Sequence, residues 1–263
     1  MSDIYGIARS GLQAYKEGLA TTGQNIANVG NESYSRREAP ISEVKSGADA
    51  LQISNSAGYG VKVDGITRAF DEFIDIQLQN AASGFSFSTS QATVLNQLEQ
   101  VLRPSQGSVS QRLQELFSSF NIVAQDPSDL AARHVSVDNG KAVVSSIITV
   151  ADGISDLRNL VSDSITDSVS EANGLLNQLT EIQQELLGNE AIRNAPNDLL
   201  DQRDSLLRDL SELIEISVDY KSGGMIDVSV GTAGQGKTLL SGVVYSKLVV
   251  QESGGTSKVF LNN

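Results

Sequence analysis

The sequence predicts a mainly α protein: an elongated rod of long coiled-coil-like helices, with a small β element near residues 36–67 and a partial β domain at the C-terminal end. Three observations carry this. Apolar residues recur at heptad spacing over residues 5–29 and again, along one line, from Ile147 to Leu186. After Ile214 the period drops from 3.6 to 2. Of the 263 residues, 40% are hydrophobic and 5% aromatic, a composition suited to narrow aliphatic seams between helices and not to one deep core.

Over residues 5–29, Tyr5, Leu12, Leu19 and Ile26 occupy one heptad position, and Ala8, Tyr15, Thr22 and Val29 the other. Such a stripe is narrower than the face a helix lays on a globular core. A helix of this length is also marginal in water without a partner. Gly30-Asn31 ends the pattern. Pro40, Gly47, Gly58 and Gly60 then punctuate short alternating runs such as residues 60–66, read as loops and a small β element. The next helix is expected over about residues 70–102, weakest at 81–90 and stopped by Pro104.

Ser108 and Gln111 form a capping-box pair for a short helix bearing Leu113, Phe117, Phe120 and Ala124. Asp126-Pro127 reads as an N-cap with proline at the first helical position. From there the helical signal runs to about Leu187. Its apolar line is Ile147, Val150, Ile154, Leu157, Val161, Ile165, Val169, Ala172, Leu176, Leu179, Ile182 and Leu186, with two extra four-residue steps. Those steps are a stutter, which relaxes a left-handed supercoil. Gly188-Asn189 breaks this helix, and another starts at Asn197, carrying Leu199, Leu200, Arg203, Leu206, Leu207, Leu210, Leu213 and Ile214. Ile216, Val218 and Tyr220, a turn over residues 221–224, then Ile226, Val228 and Val230 make a hairpin. Residues 239–250 and 258–261 are further strand-like runs of a β domain expected to be truncated.

The composition excludes most chemistry. With 19 Lys+Arg against 32 Asp+Glu, a net charge of −13, and no basic run, no nucleic-acid or anionic-membrane patch is expected. The absence of Cys removes disulfides, thiolate metal sites and Cys nucleophiles. The single His134, beside Arg133 in a helical run, leaves no His-rich metal site and reads as a surface or partly packed side chain and not as a catalytic base. No apolar run approaches the roughly 20 residues of a membrane span, so no membrane insertion is expected. Residues 1–20 lack the basic-then-apolar plan of a cleaved signal peptide.

One motif resists its usual meaning. Residues 231–238, Gly-Thr-Ala-Gly-Gln-Gly-Lys-Thr, match the P-loop pattern at every position. In a nucleotidase Lys237 would reach the terminal phosphates and Thr238 would hold magnesium. A P-loop opens a helix, whose N-terminus supplies the anion-binding amides. Here the continuation is β-branched and split by Gly242, so the expected structure is a Gly-rich turn between antiparallel strands. The acidic pairs Asp201/Asp204 and Asp209/Glu212, interspersed with Arg203 and Arg208, read as a solvated, internally paired helix face. No catalytic, metal-binding or cofactor-binding residue is assigned, and no enzymatic activity is expected.

Ser10-Gly-Leu-Gln-Ala14, Leu19-Ala-Thr-Thr-Gly-Gln-Asn-Ile-Ala-Asn28 and Tyr34-Ser-Arg36 resemble the N-terminal motif of bacterial flagellar axial proteins, the rod, hook and hook-associated subunits. Gly60-Val-Lys-Val63, Ile66, Arg68, Asp71, Phe73 and Gln77-Leu78 extend the resemblance. Gly30, Glu32 and Ser33 stand where that pattern usually has Asn, Pro and Gly. Asp126-Pro127, Ala132-Arg133 and above all Asn197-Asp-Leu-Leu-Asp-Gln-Arg-Asp204 are similar to the hook-associated branch, which forms the hook–filament junction.

The resemblance implies a structural flagellar subunit, self-associating in a ring by pairing of terminal helices. Its implied partners are the hook protein, the second junction protein (hook-associated protein 3), an export chaperone and the flagellar type III export apparatus. Its implied location is extracellular, reached without a cleaved signal. The implied plan is an axial assembly helix over residues 1–35, an α-helical rod domain over 36–214 with its β insertion at about 36–67, and the start of a β-rich outer domain over 215–263. The implied assembly residues are Tyr5, Leu12, Tyr15, Leu19 and Ile26 for axial contacts, with Asn28, Tyr34 and Arg36 shaping the exit from the helix. Another axial subunit, of rod or hook, is the alternative, and a P-loop nucleotidase a distant third.

Overall fold

In the computed structural model the N-terminal heptads become helix α1 (Ile4–Ala27), and the description covers residues 4–44, 59–102, 107–188, 196–231, 236–253 and 256–262. Two short antiparallel pairs follow, β1 (Arg37–Glu38) with β4 (Thr67–Arg68) and β2 (Ile41–Glu43) with β3 (Val61–Val63). Helix α2 spans Glu72–Leu102 without interruption through the weakly helical 81–90 stretch. Pro104, the expected stop, lies outside the described residues. Next come α3 (Val109–Gln125), α4 (Leu130–Gly188) and α5 (Asn197–Leu213). The mainly α expectation holds, and the fold then switches to β.

Strands β5 (Ile216–Tyr220), β6 (Ile226–Val230), β7 (Thr238–Ser241) and β8 (Val244–Tyr245) form an antiparallel sheet in chain order. Ile216 pairs with Val230 and Val218 with Val228, so the alternation read in the sequence sets the register. The run over 239–250 is split by Gly242, whose φ of +56° makes the β7–β8 turn. Strand β9 (Lys247–Ser253) pairs instead with β10 (Thr256–Asn262) in a separate hairpin.

The chain divides into two compact units. The first comprises Met1–Ala81 and Leu175–Tyr245. Its apolar core is built from Leu176, Leu179, Ile182 and Leu186 of α4, Leu207 and Leu210 of α5, and Ile216, Val218, Ile226, Val228, Leu239 and Leu240 of the sheet. Each such buried aliphatic side chain contributes about 1.5–3 kcal/mol. Gln183 is fully buried among them. It donates to the carbonyls of Ile226 (3.0 Å) and Gly242 (2.6 Å) and accepts from the Ile226 N–H (2.8 Å), so its amide acts as a substitute strand edge.

The second unit comprises Ala82–Gly174 and Ser246–Asn263. Here the Asn139 side chain donates to the Glu115 carbonyl at 3.3 Å, holding α3 to α4. A Cβ on Gly153 would come 3.0 Å from Val101, so glycine lets α2 approach α4 closely. Asn173 pairs with both backbone groups of Leu248 (2.9 and 2.8 Å) and fastens the β9–β10 hairpin to α4.

Four local expectations change. The Ser108 side chain accepts from the Gln111 N–H as predicted, but Gln111 reaches back to the Gly107 N–H (3.1 Å), one residue beyond the capping-box position. Asp126 caps no helix start. It closes an Asx turn on Ser128 (3.0 Å) just after α3, and Asp129 caps α4 through the Ala131 and Ala132 N–H groups (2.8 and 3.3 Å). The long stripe of α4 is buried only from Val169 to Leu186, while Ile147 and Ile154 remain exposed. Leu113, Phe117 and Phe120 of α3 likewise face outward, because α3 buries the opposite face around Ser119.

Candidate assembly surface and its anchor

Helix α1 turns its apolar stripe away from the unit it belongs to. Leu12 and Leu19 are each 74% exposed, and Tyr5, Tyr15, Ile26 and Val29 are exposed beside them. The buried residues are Ala14 and Thr21, with Ile7, Gly11, Gly18, Asn25 and Asn28 half-buried on the same side. Gly11, Ala14, Gly18, Thr21, Asn25 and Asn28 follow one another at steps of three and four, so α1 carries a second heptad line made of small and polar residues. Burial selects that line and leaves the large side chains in water, the reverse of an ordinary amphipathic helix.

The small face docks through hydrogen bonds. Ser10 Oγ donates to the Ile7 carbonyl (2.8 Å) and accepts from the Val61 N–H of β3 (3.2 Å). Gly60 adopts φ +112°, and a Cβ there would sit 2.2 Å from Ser10 Oγ, so only glycine admits this contact. Asn25 pairs with both backbone groups of Arg37 in β1, donating to the carbonyl (2.8 Å) and accepting from the N–H (2.9 Å). The Tyr34 hydroxyl donates to the same Asn25 oxygen (2.9 Å). Among the expected exit residues, then, Tyr34 braces the turn from within. Asn28 donates to the Gln24 carbonyl (2.9 Å) at the helix end. Arg36 lies on the surface in an ion pair with Glu38 (2.6 Å).

The anchor that the sequence reading missed lies beneath. Asp201, Arg203 and Asp204 of α5 are 6%, 3% and 3% exposed, which overturns their assignment to a solvated face. Asp201 stands 2.9 Å from Arg68 Nε, off the hydrogen-bonding axis, and 3.5 Å from Arg37. Asp204 bridges Arg68 and Arg203, meeting Arg203 Nε at 2.8 Å. Each guanidinium also covers an aromatic ring: Arg37 on Tyr34 (5.0 Å), Arg68 on Phe70 (5.1 Å) and Arg203 on Tyr220 (5.1 Å). Phe70 and Tyr220 meet edge to face. The Tyr220 hydroxyl donates to Asp75 of α2 (2.8 Å), which also accepts from Gln79 (2.8 Å). Burial raises the Asp75 carboxyl above its ordinary value, with Asp204 adding to the shift and the Tyr220 hydrogen bond opposing it. Burial and then the Asp75 charge push the Tyr220 hydroxyl upward in turn.

Nothing in this cluster resembles a reaction centre, since both α5 carboxylates are taken up by arginines. Among the described residues no three of His, Cys, Asp and Glu converge as a metal site would require. His134 is exposed on α4. Residues 232–235 of the P-loop-like stretch lie outside the described residues. Its flanks belong to antiparallel β6 and β7, the Val230 N–H donates to the Lys237 carbonyl (3.0 Å), and Thr238 opens a strand where a P-loop would open a helix. Among the described residues no helix is long and apolar enough to cross a membrane.

The family model described as the flagellar hook-associated protein FlgK helical domain matches residues 95–263. The flagellar hook-associated protein 1 of Salmonella typhimurium is 28% identical over 255 residues, covering 96% of this chain and 45% of that protein. The protein of the same name from Bacillus subtilis is 29% identical over 225 residues, covering 82% of this chain and 44% of its own length. The chain thus spans less than half the length of these relatives. The solved flagellar hook junction protein FlgK from Burkholderia pseudomallei superposes with a TM-score of 0.65 at 22% identity, over 71% of this chain and 33% of that one, which is a likeness of fold.

Proposed function

The chain belongs to the family of flagellar hook-associated proteins of the FlgK type, and from that membership we propose that it is a structural, non-catalytic subunit of the junction between hook and filament. The subunit works from outside the cell, at the hook–filament junction, reached through the flagellar type III export apparatus with an export chaperone and without a cleaved signal. It self-associates in a ring, with the hook protein on one side and hook-associated protein 3 on the other. The domain roles follow the same reading: residues 1–35 assemble, 36–214 form the rod and 215–263 begin an outer β-rich domain.

The observation that carries this reading is the outward heptad of α1. Tyr5, Leu12, Tyr15, Leu19 and Ile26 expose an apolar seam that water penalises at about 25 cal/mol per Å² until a second helix covers it. Asn28 and Tyr34 hold the turn at its base, and Arg36 borders it on the surface. A subunit built this way gains its affinity on assembly, where knobs from one helix fill holes in another.

The test is a Leu12→Asp/Leu19→Asp variant of the full-length protein in a motile strain. Secretion into the medium is expected to continue while filament attachment and swimming are lost. Normal swimming would refute the role of the seam.

A further inference from the structure

Helix α5 meets the turn before β4 and the segment that leaves α1 along a single stripe. Asn197 donates to the Ile66 carbonyl (2.7 Å), Asp201 accepts from the Ser35 N–H (3.3 Å) and faces Arg37, Ser205 hydrogen-bonds Ser33 (3.1 Å), and Arg208 donates to the Glu32 carbonyl (3.1 Å). Positions 197, 201, 205 and 208 fall on one helix face, and the last three contact residues 35, 33 and 32 in reverse chain order, so the exit segment runs antiparallel to α5 over two turns. Asp201 and Asp204 reach beyond it to Arg68 of β4, the strand paired with β1. Strand β1 in turn carries Asn25 of α1.

We propose that this face of α5 is the seat that sets the direction in which α1 leaves the folded unit, making Asp201, Asp204, Ser205 and Arg208 positioning residues of the assembly surface. The lever is long. A helix of 24 residues reaches about 36 Å at 1.5 Å per residue, so a tilt of about 10° at its base displaces the tip by about 6 Å, more than half the roughly 8–10 Å between packed helices. A seam whose copies must meet at one angle needs its base held by contacts that do not slide. Buried arginine–carboxylate contacts, Arg68 shared between Asp201 and Asp204 and Arg203 held on Asp204, each backed by an aromatic ring, supply such contacts. Among the described residues the small face of α1 docks on the short strands β1 and β3 and on Tyr34.

This proposal rests on reading α1 as the assembly helix, so its test is made on unassembled protein. The chain has no native cysteine, and spin labels at Lys16→Cys with Glu212→Cys report α1 against α5. Labels at Lys16→Cys with Lys62→Cys report α1 against β3, its own docking strand. In Asp201→Asn, and in the milder Ser205→Ala/Arg208→Ala, the α1–α5 distance distribution is expected to broaden roughly twofold, while the α1–β3 distribution stays narrow and the circular dichroism stays helical. A purely structural role for the stripe would loosen both label pairs together or neither. An unchanged α1–α5 distribution in the folded variants overturns the proposal, and so does an equal loosening of the α1–β3 pair. Whether Leu12→Asp/Leu19→Asp blocks assembly leaves these distances untouched, so the two readings stand or fall separately.

Discussion

Replacing Asp204 by alanine strips the charge partner from two guanidiniums at once. The side chains of Arg68 and Arg203 are 5% and 4% exposed, so neither can recover hydration without opening the unit. Arg68 keeps Asp201 and a hydrogen bond to Ser35 (3.1 Å), but among the described residues Arg203 keeps the Gly224 carbonyl (2.6 Å) and the Tyr220 ring. Breaking a buried pair by removing one partner costs about 3–5 kcal/mol, about a fifth or more of the roughly 5–15 kcal/mol that holds an ordinary domain. Asp204→Asn, which retains an acceptor oxygen without the charge, is expected to lose less. Native-state hydrogen exchange of the α5, β5 and β6 amides reads this unit alone, and their protection should fall by the same energy. A double-mutant cycle with Arg203→Ala should return a coupling of about 1–3 kcal/mol. Loss of less than about 0.5 kcal/mol in Asp204→Ala, the range of an ordinary surface substitution, would refute the claim that this cluster anchors the unit.

Other consequences follow from single contacts. Gly60→Ala forces a left-handed φ on alanine and drives its Cβ into Ser10. A loss of about 1–3 kcal/mol, read as faster exchange of the α1 amides with little change in the β5–β8 sheet, is expected. Gln183→Leu leaves the Ile226 N–H and two carbonyls buried without partners, at about 1–3 kcal/mol for each lost partner, and should lower the urea midpoint well beyond the effect of Asn177→Ala on the surface of the same helix. Asp75 holds its proton in the folded state to a higher pH than in the unfolded chain. Folding therefore binds a proton above the ordinary carboxylate pKa of about 4, and stability from this group is present below that value and lost as pH rises. The stability of Asp75→Asn relative to wild type should accordingly grow between about pH 4 and pH 7, in urea titrations at matched ionic strength. The opposite trend would contradict the burial assigned to Asp75.

Much of this fold is legible in residue order. Heptad spacing marks α1, the apolar line from Ile147 to Leu186 marks most of the 59-residue α4, and alternation after Ile214 sets the β5–β6 register. The flagellar family is legible as well, because strings such as residues 19–28 and 197–204 are local and long. The α5 anchor was hidden for a physical reason. Asp201 and Asp204, three residues apart, look the same whether they pair along a wet helix or bury against partners more than a hundred residues away, and only those partners tell the cases apart. Arg68 and Arg37 carry no local mark of that role. The shift of the α4 cap from Asp126 to Asp129 has a similar origin: both are Asp at plausible caps, and the Asx turn on Ser128 takes the first.

Periodicity in the chain determined that α1 would be a helix with an apolar line and that large side chains would share one face. It could not determine which face turns inward, because α1 carries two heptad lines, one large and apolar, one small and polar. Tertiary structure decided that. The β1–β4 and β2–β3 pairs offer backbone hydrogen-bonding groups, which Ser10 and Asn25 can satisfy and Leu12 and Leu19 cannot. Burying an unsatisfied strand N–H or carbonyl costs about as much as an exposed leucine loses in water, and a partner helix can later cover the leucines, whereas only side chains on the small face can satisfy those strand groups.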